Sequence, residues 1–308
     1  MPNVIVTGAT SMIGVSLIEA ALSDSTVEKI LAVVRPGSKK INRLPSDCRI
    51  EIIEVDLNDY KKLKKYTGYE TFYHLAWSRT ETYNESCEDM LLKCKSIEGT
   101  LEAVEVAHAI GCKKFVWAGG QSEYGIVNDD YMRPDTPCDP VRADGIMHYA
   151  TGKLVRLLCN RYKMPFILVR IFSIYGKYDR PNSMITSTVK KMLDGEACQF
   201  TPAEQIWDYL NATDMGSAFY LAGKKAEEDK IYCVGSGDAR PLKEFIKVIR
   251  NVVNPDLELK FGELPYPTNP IMRLCPDISA IKNDTGWKPT VSFEEGIKEI
   301  VEYMKSEN

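Results

Sequence analysis

Six short apolar runs, rich in β-branched residues, divide the first 172 residues into segments of helix length: NVIVTG, KILAVVR, RIEIIEVD, TFYHLAW, KKFVWAGG and FILVRIF. Runs of this kind, joined by crossovers of a dozen or more residues, are the pattern of parallel strands with helices packed on the faces of their sheet. Two of the intervening segments read as long helices. One extends from about Met90 to Ile110, and the other contains YATGKLVRLLCNRY, with Leu154, Val155, Leu157 and Leu158 as its packing stripe. The expected architecture is an α/β fold, a doubly wound parallel sheet over residues 1–172. Beyond Tyr175 the chain is punctuated by Gly176, Pro181, Pro202, Pro241, Pro255, Pro265, Pro267, Pro270, Pro276 and Pro289. Residues 173–308 are therefore read as a smaller mixed domain that supplies mainly substrate contacts, with segments returning to the first. With 44% hydrophobic residues in 308, the chain can bury a sizeable core.

Several partner classes are excluded at this level. The net charge of −4 is spread over both signs, which leaves no basic footprint for nucleic acid or an anionic membrane. The start runs into Val4-Ile5-Val6 without a basic leader, and no apolar run approaches the roughly 18 residues of a membrane span, so a cytoplasmic protein is expected. None of the nine cysteines falls in a C-x-x-C pair, which predicts no metal site and reduced, buried thiols. The basic run Lys61 to Lys65 reads as a solvated helix face.

The sequence VTGATSMIG closes the first strand with Gly8 and opens the first helix with Gly14, where backbone amides and the helix dipole can meet a pyrophosphate. This is the Rossmann-type signature, with Thr10, Ser11, Met12 and Ile13 forming the rest of the turn. Ser11 stands where the middle glycine is usual, so the turn has to be made with a side chain present. The second strand ends in Arg35 rather than an acid, and Arg35 with Ser38 could hold a ribose 2′-phosphate. NADP(H) is therefore favoured as cofactor, with NAD(H) possible. Asp56 and Leu57 are placed against the adenine, an N-cap role for Asp56 remaining open. Leu75, Ala76 and Trp77 are expected beneath the middle of the cofactor. His74 is read as a structural hydrogen-bonding residue.

The ordered set TGATSMIG, VDL, YHLAW, QSEYG, HYATGK, RIFSIYG, DYLNATDMGSA, YCVGSG and DTGWKP resembles the NAD(P)-dependent epimerase/dehydratase branch of the extended short-chain dehydrogenases/reductases. The resemblance spans nearly the whole chain and implies an enzyme acting on a nucleotide-linked sugar. Tyr-x-x-x-Lys occurs three times, at Tyr60/Lys64, Tyr149/Lys153 and Tyr220/Lys224. Order selects the middle pair, read as opening the helix after the fifth strand. Residues i and i+4 share a helix face, so the Lys153 ammonium can stand beside the Tyr149 phenol and favour its ionised form. Tyr149 would then exchange a proton with the sugar as hydride moves. The resemblance implies that Lys153 also holds the nicotinamide ribose.

The hydroxyl that such sites carry four residues before the tyrosine of the YG pair is absent, because that position is Gly120. Ser122 is the nearest replacement, and Gln121 could serve as an amide donor. No acid adjoins this position except Glu123, read as pointing away, which disfavours dehydration. The favoured reaction is NADP(H)-dependent reduction of a nucleotide-linked 4-keto sugar, in line with QSEYG and WDYL features similar to CDP-deoxyhexose 4-ketoreductases. An NAD-dependent nucleotide-sugar epimerase is the alternative, and a non-catalytic dinucleotide-binding protein is a second. On the substrate side, Phe172 is set against the nicotinamide or in the core, and Ser173 near the sugar. Many relatives carry a diphosphate-binding arginine where this chain has Trp207, which leaves Arg180 and Arg273 as replacement cations and sets Trp207 either stacked on a base or in the core. The resemblance further suggests a homodimer formed through the helices near 90–110 and 149–161.

Overall fold

The computed structural model describes residues 3–78, 86–127 and 129–307. Along them run β1 (Val4–Thr7), α1 (Met12–Leu22), β2 (Ile30–Val34), β3 (Ile50–Glu54), β4 (Thr71–His74), α2 (Cys87–Ala109), β5 (Lys114–Gly120), α3 (Ala143–Tyr162), β6 (Phe166–Ile171), β7 (Ser173–Tyr175), α4 (Met184–Leu193), β8 (Cys198–Phe200), β9 (Ile206–Trp207), β10 (Tyr209–Asn211), α5 (Ala212–Lys225), β11 (Lys230–Val234), β12 (Arg240–Pro241), α6 (Leu242–Val253), β13 (Leu259–Phe261), β14 (Arg273–Leu274), α7 (Ser279–Thr285) and α8 (Phe293–Glu307).

Seven strands form one sheet in the order β11-β6-β5-β4-β1-β2-β3, every neighbouring pair parallel. This is a Rossmann-like doubly wound sheet. Its order reverses between β1 and β4, so the connections leaving their carboxyl ends part in opposite directions and open a crevice there. The period of two along the strands sorts side chains between two cores. Val4 and Val6 of β1, with Ile30, Ala32 and Val34 of β2, meet Leu17 and Ile18 of α1 and Met215 and Phe219 of α5. Ile5, Leu31 and Val33 face the other way, towards Ala103, Val104 and Ala107 of α2 and Val155 and Cys159 of α3. Each fully buried apolar side chain here stabilises the fold by roughly 1.5–3 kcal/mol.

The second half contributes a third core around Tyr175, Val189, Phe245, Phe293 and Ile297, between α4, α6 and α8. Three small sheets, β10-β7, β12-β9-β14 and β13-β8, stand apart from the main one. Segments after residue 173 also return to the main layers, because α5 packs along α1 and β11 pairs with β6.

Two helix boundaries differ from the sequence reading. α2 starts at Cys87, where Ser86 Oγ accepts the Asp89 N–H. α3 starts at Ala143, so Tyr149 stands about two turns inside the helix instead of opening it. Extended Arg142 precedes the first turn, which its carbonyl closes by accepting the Ile146 N–H at 3.0 Å.

Of the cysteines, Cys48, Cys87 and Cys94 are exposed, contrary to the expectation of buried thiols, and all nine are unpaired. The Lys61–Lys65 run is a solvated 3-10 turn. Among the described residues no helix is long and apolar enough to cross a membrane, and no cluster could hold a metal.

Candidate active site

At the β1–α1 turn the absent middle glycine has a local explanation. Ser11 adopts an extended conformation, φ −72° and ψ 161°, and its Oγ accepts the Gly14 N–H at 3.0 Å. The side chain that glycine would lack is the N-cap of α1. The positive φ is carried by Gly8, at +69°. Gly14 admits no side chain, since an added Cβ would overlap the Gly8 carbonyl oxygen and stand 2.8 Å from that of Ala9. The first amides of α1, at Met12 and Ile13, have no partner within the helix and face a position suited to a pyrophosphate. Thr10 is half-exposed beside them, and a Cβ added to Gly176, just past β7, would stand 3.8 Å from Met12 Sδ.

Arg35 is exposed just past β2, and its carbonyl accepts the Ser38 N–H at 3.1 Å. A feature that sequence reading missed lies beside it. Glu54, at the end of the neighbouring strand, accepts the Gly37 N–H at 2.9 Å and so brings a carboxylate to the turn that would read the ribose. Asp56 is exposed and its Oδ1 accepts from the Asn58 N–H at 3.0 Å, an Asx-type turn rather than a helix cap. Leu57 packs against Gly99 of α2.

Beneath the crevice, His74 is fully buried between Thr7 Oγ1 at 2.8 Å and Thr100 Oγ1 at 3.1 Å. Thr100 donates its own hydroxyl proton to the Ser96 carbonyl, so it accepts from His74 Nε2, which leaves Nδ1 as the acceptor for Thr7. Burial pushes the imidazole down to about 3, and the ring stays neutral. Thr7 in turn accepts the Ala76 N–H at 3.4 Å, and its carbonyl accepts that of Leu75. Trp77 lies against His148 with ring centroids 4.1 Å apart and planes tilted by 35°, and near Trp117; its buried Nε1 has no partner among the described residues.

Tyr149 is half-buried on α3, and Lys153 Nζ lies 5.0 Å from its ring centroid. The same helix presses against the turn after β5. An added Cβ on Gly145, one turn before Tyr149 on the same face, would overlap the Ser122 carbonyl oxygen. A Cβ built on Gly120 would stand 3.7 Å from Ser122 Oγ, so the Ser122 hydroxyl borders the space a residue-120 side chain would enter. Gln121 is half-buried and its carbonyl accepts the Tyr124 N–H at 3.1 Å.

Glu123 points inward. It is 1% exposed, accepts the Gly120 N–H at 2.8 Å, and pairs with the equally buried Arg170 at 3.0 Å. Burial pushes the Glu123 carboxyl up from its ordinary value, while the Arg170 guanidinium and the Gly120 amide pull it back. This pair also escaped the sequence reading, because 47 residues separate its members and no local periodicity joins them.

On the substrate side, Phe172 is buried with Tyr124, Met132, Cys233 and Leu274, which is the core placement of the two considered. Trp207 Nε1 donates to Ser173 Oγ at 2.8 Å and ties β9 to β7. Arg273 faces Asp130 at 3.5 Å, and Arg180 is exposed on the loop after β7. The strand pairing also places Arg240 directly across from Trp207, a cation absent from the sequence reading.

The model of the NAD dependent epimerase/dehydratase family matches residues 4–235. A putative UDP-glucose 4-epimerase of Methanocaldococcus jannaschii is 24% identical, the alignment covering 99% of each chain. Two solved structures share the fold. UDP-N-acetylglucosamine 4-epimerase from Methanobrevibacter ruminantium M1, in complex with UDP-N-acetylmuramic acid, aligns with a TM-score of 0.88 at 20% identity over 100% of this chain and 99% of the other. UDP-glucuronic acid 4-epimerase from Bacillus cereus, in complex with NAD, aligns at 0.84 and 20% identity over 99% of each.

Proposed function

Since the chain belongs to the NAD dependent epimerase/dehydratase family and is an enzyme, we propose that it epimerises a carbinol of a nucleotide-linked sugar around a nicotinamide cofactor that stays bound. The observation that carries this reading is the shared face of α3, where Tyr149 and Lys153 lie on the helix that abuts Ser122. A bound nicotinamide supplies the hydride acceptor and, on the return, the donor. Tyr149 takes the carbinol proton and later returns one, Lys153 holds the charge that develops on the phenol, and Ser122 donates a hydrogen bond to the same sugar oxygen. Among the described residues the acid next to Ser122 is Glu123, which is committed to Arg170, and this argues against dehydration.

The similarity to 4-epimerases moves the reading from the net reduction favoured by sequence to its alternative, in which hydride is returned. Reduction with NADPH stands as a second reading because Arg35, a cation, directly follows β2. NAD and NADP are therefore both tested. We also propose that the functional unit is a homodimer. Leu91 on α2 and Leu154 and Leu157 on α3 are 61%, 42% and 67% exposed on two adjacent helices, an apolar surface that a second copy would cover.

The test is turnover of a UDP-, CDP-, GDP- and dTDP-sugar panel. An epimerase interconverts sugars with catalytic cofactor and no net absorbance change near ~340 nm, whereas a reductase consumes NADPH stoichiometrically. Tyr149→Phe should lower kcat by about 10²–10⁴-fold in either case, and an undiminished rate would remove the tyrosine mechanism.

A further inference from the structure

We propose that Glu123 and Arg170 are positioning residues for the reaction, acting through Ser122 by holding the turn after β5 so that the displaced hydroxyl faces Tyr149. The inference rests on the functional reading above, in which Ser122 serves in place of the absent hydroxyl at Gly120.

The turn Gln121–Glu123 is a single 3-10 turn with no side-chain cap, and short turns of this kind have few bonds of their own to define them. Its definition comes from its last residue. Glu123 folds back under the strand, where Oε1 accepts the Gly120 N–H at 2.8 Å and Oε2 accepts Arg170 Nε at 3.0 Å. A Cβ on Gly119 would overlap Glu123 Oε1, so that glycine makes room for the carboxylate. At the same turn, Gly145 lets α3 approach the Ser122 carbonyl. The turn that carries Ser122 is thus in contact with both a buried carboxylate and the helix of Tyr149.

Arg170 extends the clamp. Its Nη1 donates to Tyr124 Oη at 2.8 Å and to the Pro134 carbonyl at 3.2 Å, and its Nη2 points at Cys138 Sγ at 3.2 Å. Tyr124 Oη donates in turn to the Arg133 carbonyl at 2.6 Å, and the Asp139 N–H to the Tyr124 carbonyl at 3.1 Å. One guanidinium on β6 therefore joins the turn that carries Ser122 to the loop that leads into α3 and Tyr149. Packing alone needs no such charge at this place. A planar guanidinium whose Nε is paired with Glu123 and whose Nη1 reaches Tyr124 and Pro134 instead fixes relative position, which two groups acting on one sugar oxygen require.

Two measurements test this. Crystal structures of wild type and of Glu123→Gln/Arg170→Met, which leaves no unpaired buried charge, should differ by about 1 Å or more in the distance from Ser122 Oγ to Tyr149 Oη, with the Gly8–Gly14 turn unchanged. An unchanged Ser122 overturns the proposal whether or not any sugar is turned over. A displaced Ser122 in a protein that turns over none of the panel sinks the functional reading alone. With the substrate that the panel identifies, Glu123→Gln should lower kcat by about 10–100-fold, the scale of a 1 Å misplacement. KM and the Kd for NAD should stay within about twofold. In a Ser122→Ala background the same substitution should change kcat less than about twofold. Equal losses in both backgrounds overturn the proposal, because a general structural defect would not depend on the hydroxyl.

Discussion

Protonation of His74 should destabilise this protein as the pH falls below 6.5. The imidazole is neutral in the folded state, with its pKa pushed by burial from 6.5 to about 3. Below pH 6.5 the unfolded chain takes up a proton that the folded chain refuses, so the stability tied to the neutral ring is fully present above that pH. It is lost as pH falls towards 3, at about 1.4 kcal/mol per pH unit. Between pH 8 and pH 5 the integrated loss is about 2 kcal/mol, a large fraction of a marginal stability. Urea denaturation of wild type and His74→Gln at pH 8, 6.5 and 5 reads this directly. The glutamine can still donate to Thr100 but does not titrate. The variant should be less stable at pH 8 and lose about 2 kcal/mol less than wild type on going to pH 5, since the other groups titrate alike in both. Parallel pH profiles would show that His74 accepts a proton in place, and would refute the closed Thr7–His74–Thr100 arrangement beneath the crevice.

Gly14→Ala should cost about 1–3 kcal/mol in unfolding free energy through overpacking and weaken NAD binding by equilibrium dialysis at least about tenfold, because its Cβ collides with the Gly8 and Ala9 carbonyls; wild-type affinity would remove the pyrophosphate assignment. Arg35→Ala should raise the Kd for NADP(H) roughly tenfold, the worth of one charge-assisted bond, and leave that for NAD(H) unchanged. If the two shift alike, Arg35 has no role in reading the 2′ position. Leu154→Glu/Leu157→Glu should yield a monomer by light scattering at concentrations where wild type is a dimer, and an unaltered mass would place any interface elsewhere.

What could be read in advance follows physical range. The parallel sheet and its two faces were readable because the strand period and the glycine turn are local patterns, as Val4, Val6 and Ile5 show by dividing between two cores. Tyr149/Lys153 was readable because four residues on a helix are also neighbours in space. Glu123–Arg170, Lys93–Asp144, Glu54–Gly37 and Arg240–Trp207 were not, since each joins elements that only the folded sheet brings together. Lys93 is the strongest case, a lysine inside a helix that reads as a solvated charge, yet it is buried against Asp144 at 2.9 Å. The start of α3 was misplaced because residues 143–148 have no strong cap, Arg142 offering no side-chain bond to the first turn.

Position-by-position reading also misjudges Gly120 itself. Counted from Tyr124, the glycine looks like the loss of a catalytic group. In space, the hydrogen there leaves open the direction in which a side chain would project, and the Ser122 hydroxyl borders that opening. In the proposed site Ser122 supplies that hydroxyl two residues on, where Gln121–Glu123 winds as a 3-10 turn and the Glu123 carboxylate is drawn inward to Arg170. Restoring a hydroxyl by Gly120→Ser would therefore not duplicate the function. Its Cβ would fit 3.7 Å from Ser122 Oγ, close enough for the new hydroxyl to bond that of Ser122 and draw it from the sugar, so a fall in kcat is expected. A Gly120→Ser variant faster than wild type would show that Ser122 never supplied the hydrogen bond.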